Sequence, residues 1–209
     1  MIIQGTAPSQ LYNEIKRDIL YRRYRMGDKL HPRDLADRYD VSVMPVRDAL
    51  LQLSWRGLVV SKARVGFYVA SYTRDEAVHL MDVRSMYELF CLDAYWDAQD
   101  RPALESCLRD MKDGLEGGDT EGFDDGDQRF HGAIVHSANN GFLRRQYDQI
   151  RELLMLVACS DTAHCGEAYA EHAEVLGALA GDDRKAAVAL LKYHLNRAMQ
   201  HIAEGWDDE

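Results

Sequence analysis

Asp127 and His131 stand four residues apart in a stretch of helical periodicity, so a carboxylate and an imidazole leave one face about one turn from each other. His172 and His194 flank the break Gly181-Asp182-Asp183, ten residues before Asp182 and twelve after it. In an antiparallel helix hairpin, residues nearly equidistant from the turn lie side by side, here roughly 15 to 18 Å from the loop at about 1.5 Å per residue. Two imidazoles can therefore meet at one level. Three imidazoles and one carboxylate inside a helical bundle suit zinc or another divalent ion such as nickel, iron or manganese, and they leave positions open for water or an effector carboxylate. His201, seven residues after His194 on the same face, is a reserve ligand, whereas His136 lies about 140° off the face of His131. An open His3Asp site has an alternative use as a metal-dependent hydrolase or oxygenase. His31, His79 and His164 read as structural or exposed, and Cys159, His164 and Cys165 match no nucleophile or redox spacing.

The elements that must position these groups are helical. From Thr73 onward the periodicity predicts helices over roughly 73–97, 101–116, 119–138, 140–159, 166–180 and 184–204, broken at Gly117-Gly118-Asp119, Asn139-Asn140-Gly141 and Gly181-Asp182-Asp183. Residues 73–209 thus read as an all-helical bundle. Residues 1–72 differ. Leu11, Ile15, Ile19 and Leu20 mark a first helix, Pro32 to Tyr39 a second, and Val43 to about Trp55 a third with Ser42 at its N-cap and Gly57 closing it. Leu58 to Ser61 and Gly66 to Val69 then form a two-stranded hairpin with a basic tip. The fold class expected is mainly α, a winged helix-turn-helix followed by a helical bundle.

Charge separates the two parts. Residues 1–72 hold twelve Lys and Arg against seven Asp and Glu, a net of +5, which leaves −15 for the remainder of a chain whose total is −10. A basic head attracts phosphates while an acidic body repels them. Arg47 on the third helix is placed to read a guanine edge, Ser42 can donate to a phosphate at the helix start, and Arg33, Lys62 and Arg64 can neutralise phosphates at the flanks. The partner implied is double-stranded DNA. The first 25 residues carry no apolar run behind a basic stretch, and no run of about 18 apolar residues occurs, so a cytoplasmic protein without membrane contact is expected. The four cysteines are expected to be reduced and mostly buried.

The stretch Gly27-Asp28-Lys29-Leu30, Val41-Ser42, Pro45-Val46-Arg47-Asp48-Ala49-Leu50, Gly57-Leu58-Val59 and Gly66-Phe67-Tyr68-Val69 resembles the GntR-family winged helix. The resemblance implies a homodimeric repressor on a palindromic operator, with DNA contacts at Arg33, Ser42, Arg47 and the wing Gly66. One departure is that Val43 stands where the family commonly has Arg. Asp127-x-x-Phe130-His131, Asn140, Glu171-His172, Gly181-Asp182 and His194-Leu195 resemble the FadR C-terminal (FCD) domain of that family, with Asn139 where Gly is usual. That resemblance implies a dimerisation and effector-binding domain with Asp127, His131, His172 and His194 as metal ligands. It also points to Arg84, Glu88 and Asn140 at a small carboxylic-acid effector. For Arg84 and Glu88, a bidentate carboxylate clamp and an i,i+4 surface ion pair both remain open.

Overall fold

The computed structural model describes residues 8–157 and 162–206, and the chain divides into two compact units, Met1–Tyr72 and Thr73–Glu209. Cys159, the expected helix end at 159 and the first seven residues lie outside the described residues. Among the described residues no helix is long and apolar enough to cross a membrane.

The first unit runs α1 (Pro8–Leu20), β1 (Lys29–Leu30), α2 (Pro32–Tyr39), α3 (Val43–Trp55), β2 (Val59–Lys62) and β3 (Gly66–Val69). Leu11, Ile15 and Ile19 fall on one face of α1 and are at most 1 % exposed, packing α1 against α3. Pro32 opens α2 where a missing N–H costs nothing, and Asp40 closes it in the left-handed conformation at φ 52°. Asp18, buried in α1, accepts from Tyr39 Oη at 2.6 Å and pairs with Arg23 and Arg38, tying α1 to α2. The expected hairpin is present. It gains a third strand, because β1 pairs antiparallel with β3 (Lys29 opposite Tyr68), giving the order β1-β3-β2. Two residues are too short a run for period-two alternation to register in the sequence.

The second unit consists of α4 (Arg74–Ala94), a 3-10 turn (Trp96–Ala98), α5 (Arg101–Gly117), α6 (Thr120–His136), α7 (Gly141–Val157), α8 (Thr162–Ala180) and α9 (Arg184–Glu204). Asp100, Asp119 and Asp183 cap α5, α6 and α9 by accepting from the backbone N–H three residues on. Thr73 and Glu76 form a reciprocal capping box on α4. The helix expected over 73–97 stops at Ala94 because Tyr95 leaves helical geometry and the buried Gln99 amide donates to the carbonyls of Cys91 and Tyr95. Asn139 takes a φ of 47°, which suits an asparagine in the position where glycine is usual.

Helix α4 packs on α6, α7 and α9, α5 on α6 and α8, and α8 on α9, so residues of four helices can converge. Helices α5 and α6 also approach closely at Gly126, one residue before Asp127. A Cβ there would meet Met111 Cγ at 2.7 Å, the Met111 nitrogen at 3.0 Å and the Cys107 carbonyl at 3.2 Å. Two of those atoms are backbone and cannot swing aside. Gly126→Ala is therefore expected to destabilise by about 1–2 kcal/mol, the clash outweighing the helix-propensity gain of ~1 kcal/mol. The measurement is the urea midpoint, and an unchanged value would contradict this close packing.

Candidate metal centre and nucleic-acid interface

The ligand-capable atoms of Asp127 and His131 on α6, His172 on α8 and His194 on α9 lie within 4.8 Å of one another. The Nε2 atoms of His131 and His172 are 2.9 Å apart, and Asp127 Oδ1 lies 3.6 Å from the first and 3.4 Å from the second. The His194 ring centroid is 4.3 Å from that of His172 and 5.1 Å from that of His131. All three imidazoles are buried. The spacing from the Asp182 turn that suggested His172 and His194 would meet is realised because the α8–α9 hairpin is antiparallel and tightly closed, with Asp182 at φ 55°.

Each imidazole is oriented by its other nitrogen. Nδ1 of His131 is 2.6 Å from Glu88 Oε2, Nδ1 of His172 is 2.6 Å from the Ala168 carbonyl, and Nδ1 of His194 is 2.8 Å from Glu171 Oε2. A carbonyl and two carboxylates only accept, so each Nδ1 carries a proton and each Nε2 turns toward the common centre. This is the support that metal-binding imidazoles receive. Three convergent nitrogens and one carboxylate oxygen, walled by buried groups, are a donor set that fits a divalent cation.

Electrostatics define the protonation of the cluster. Burial disfavours its charge, yet His131 and His172 hold the Asp127 carboxyl well below the usual carboxylate range. Against the same desolvation, His131 and Arg84 hold Glu88 down to about 2. Burial pulls His172 down to about 4, and burial with two neighbouring imidazoles pushes His194 well below its ordinary value. His131 goes the other way: burial and Arg84 oppose its charge, but Glu88 and Asp127 raise it. One proton on His131 Nε2, donated to His172 Nε2, accounts for the 2.9 Å separation of two nitrogens whose lone pairs would otherwise repel.

Other expected site residues are placed differently. Arg84 and Glu88 are not a surface pair: they are 6 % and 0 % exposed, joined at 2.8 Å. Glu88, expected at an effector, has both oxygens engaged internally. Oε1 accepts from Arg84 Nε and from Tyr147 Oη at 2.5 Å, and Oε2 from His131. A carboxylate removed from water must find such donors, and the contact with Nδ1 holds the His131 ring in its orientation. Asn140, expected at an effector, accepts at its Oδ1 from the amides of Phe142 and Leu143 at 3.0 and 3.3 Å and so also caps the start of α7. His201 stacks on His164 at 3.8 Å and stands outside the four. Arg84 Nη2 is buried with no hydrogen-bond partner.

Sequence reasoning missed Tyr147, Glu171 and Arg197. Arg197 binds Glu171 and Glu167 and so fixes the carboxylate that orients His194. The only available signal was that Glu171 precedes His172, and adjacent helical residues point about 100° apart.

In the first unit, a groove is lined by His31, Pro32, Arg33, Asp34, Val43 and Arg47, bringing the starts of α2 and α3 together. Ser42 is exposed at the α3 N-cap with no capping bond from its side chain, and Arg47 is exposed with its guanidinium 6.0 Å from the Phe67 ring. Lys62 and Arg64 are exposed on the wing, whose turn needs φ 63° at Arg64 and φ 134° at Gly66. Lys29 joins them through β1, its ammonium 5.8 Å from the Tyr68 ring that Lys62 approaches at 4.7 Å. Sequence reasoning did not single it out because β1 was not foreseen.

Residues 8–69 match the bacterial regulatory proteins of the gntR family, and residues 79–197 match the FCD domain. A relative from Paenarthrobacter nicotinovorans, named as a "probable D-xylose utilization operon transcriptional repressor", is 26% identical over 198 residues, covering 93% of this chain and 88% of its own. A crystal structure of a GntR regulator from Rhodococcus sp. RHA1 superposes with a TM-score of 0.87 at 22% identity, over 96% of this chain and 99% of that one. A Zn2+-bound FCD domain of another regulator superposes with a TM-score of 0.57 at 22% identity, over 65% of this chain and 96% of its own. The family and these relatives are transcriptional regulators rather than enzymes, which sets the hydrolase and oxygenase reading aside. The winged helix and the helical bundle, each matched by its own family model, identify the chain as a member of the GntR family of DNA-binding transcriptional regulators, in the group that carries an FCD domain.

Proposed function

We propose that this regulator is a homodimeric, cytoplasmic repressor of a metabolic operon, released or engaged by a small carboxylic acid bound at a divalent metal in the FCD domain. The observation that carries the reading is the convergence of three Nδ1-anchored imidazoles and Asp127 within 4.8 Å. Zinc is the first choice of metal, with nickel, iron and manganese as alternatives, and the zinc bound by a structurally similar FCD domain supports that order. A divalent ion held there supplies a Lewis-acid anchor for an anionic oxygen. Arg84 supports the carboxylate assignment, because its buried Nη2 still has a donor to give and its Nε is already held by Glu88. Asp127, His131, His172 and His194 are the ligands in this reading, and Glu88, Tyr147 and Glu171 set their orientation.

At the other end, Arg33, Ser42, Lys62, Arg64 and the backbone at Gly66 meet phosphates of a palindromic operator, and Arg47 reads a base edge from the major groove. Effector binding matters to DNA only if it favours one arrangement of the two reading heads over another.

Zinc is expected to raise the thermal midpoint of the wild type and not of His194→Ala, while Glu171→Gln lowers zinc affinity about 10- to 100-fold in chelator competition. A panel of small carboxylic acids should then alter operator binding of the zinc-loaded protein and fail to do so for Arg84→Lys. A full acid response after metal stripping would reduce the metal to a structural staple. Because His131 must surrender its raised proton to become a ligand, zinc affinity is expected to increase as pH rises above about 6.5, the ordinary histidine value, and to level off once His131 is neutral. Affinity that is flat or declining over that range contradicts the assignment. For DNA, Arg47→Ala should cost about 1–3 kcal/mol at one base pair and relax its identity, whereas Lys62→Ala should weaken all sequences alike and reduce the salt slope by about 1.

A further inference from the structure

We infer that Val43 and Met44, at the start of the recognition helix α3, read a thymine methyl in each operator half-site, within two base pairs of the base read by Arg47. The inference rests on the DNA-reading role proposed above for α3 and adds the chemistry of a second base. Helix α3 turns Val46, Ala49, Leu50 and Leu53 into the core, each at most 1 % exposed. Met44 is 64 % exposed, although it belongs to the first turn of the same helix, where a side chain reaches bases. Val43 lines the groove that holds Arg33 and Arg47. Val43 can neither donate to nor accept from a base edge, and Met44 offers only a weakly accepting thioether sulfur. What the major groove offers to an apolar side chain is the C5 methyl of thymine, and cytosine or a purine presents none at that position.

The spacing limits where that thymine lies. Val43 and Arg47 are four residues apart, about 6 Å along the helix axis at 1.5 Å per residue, against about 3.4 Å per base pair. An arginine at position 43 would extend a charged fork to a guanine. Here valine and methionine form a short apolar tip beside Arg47, so the half-site combines one polar contact with one apolar contact.

The test starts from the full-length protein and a randomised duplex pool, from which the preferred sequence is selected. That duplex is then remade with each thymine in turn replaced by deoxyuridine, which lacks only the methyl, and affinities are measured by fluorescence anisotropy. One thymine per half-site, within two base pairs of the guanine whose preference Arg47→Ala relaxes, is expected to lose about three- to fivefold in affinity on losing its methyl. In the double variant Val43→Ala, Met44→Ala this sensitivity should vanish, with the thermal midpoint and the salt slope of binding unchanged. The inference is overturned if every deoxyuridine duplex binds like its thymine parent, or if the penalty persists in the double variant. A pool that yields no preferred sequence instead defeats the underlying reading of α3, and the inference falls with it.

Discussion

The bundle depends on keeping charge inside a medium that resists it. Arg84, Glu88 and His131 are almost wholly removed from water, and Asp127 sits against them with about a fifth of its side chain exposed. A lone buried ion is costly, so these groups are held in place by mutual neutralisation and by donors that occupy nearly every acceptor. Glu88 is the centre of this arrangement, because it takes hydrogen bonds from two helices besides its own: Tyr147 on α7 and His131 on α6. Helix α4 is thereby fixed in rotation relative to both. The geometry of the candidate metal centre is the inner surface of that requirement.

Much of this was legible in the sequence where a short-range rule applied. The i,i+4 spacing of Asp127 and His131, and the nearly equal distances of His172 and His194 from the Asp182 turn, place four donors together once helices are assumed. The start of α2 at Pro32 and the span of α3 from Val43 to Trp55 follow from proline and cap residues. What could not be read depends on tertiary contact. No periodicity indicates that Glu88 turns inward, that Gln99 folds back to end α4, or that Lys29 and Leu30 find a strand partner more than thirty residues away. Asn140 shows the same limit, since nothing in its sequence position indicates that its Oδ1 accepts from the first-turn amides of α7.

The two units use polar groups in opposite ways. In the bundle, the charges nearest the cluster are committed to internal partners, and Arg84 keeps a buried Nη2 without a hydrogen-bond partner. In the reading head, Arg33, Arg47, Lys62 and Arg64 remain exposed, while Asp18 beneath α2 makes a buried ionic contact. The bundle turns its charged groups inward, whereas the reading head leaves its cations at the surface, where a polyanion can be met by surface contact.

The wing's Tyr68 has a further consequence. Lys29 and Lys62, from the strands on either side of β3, both approach its ring, so two flexible four-carbon side chains are drawn toward one aromatic ring before any partner arrives. Fixing a free lysine costs up to about 2 kcal/mol of rotamer entropy. Part of that ordering is already met in the unbound protein, which leaves the hairpin stiffer in its side chains than its exposed, charged tip suggests.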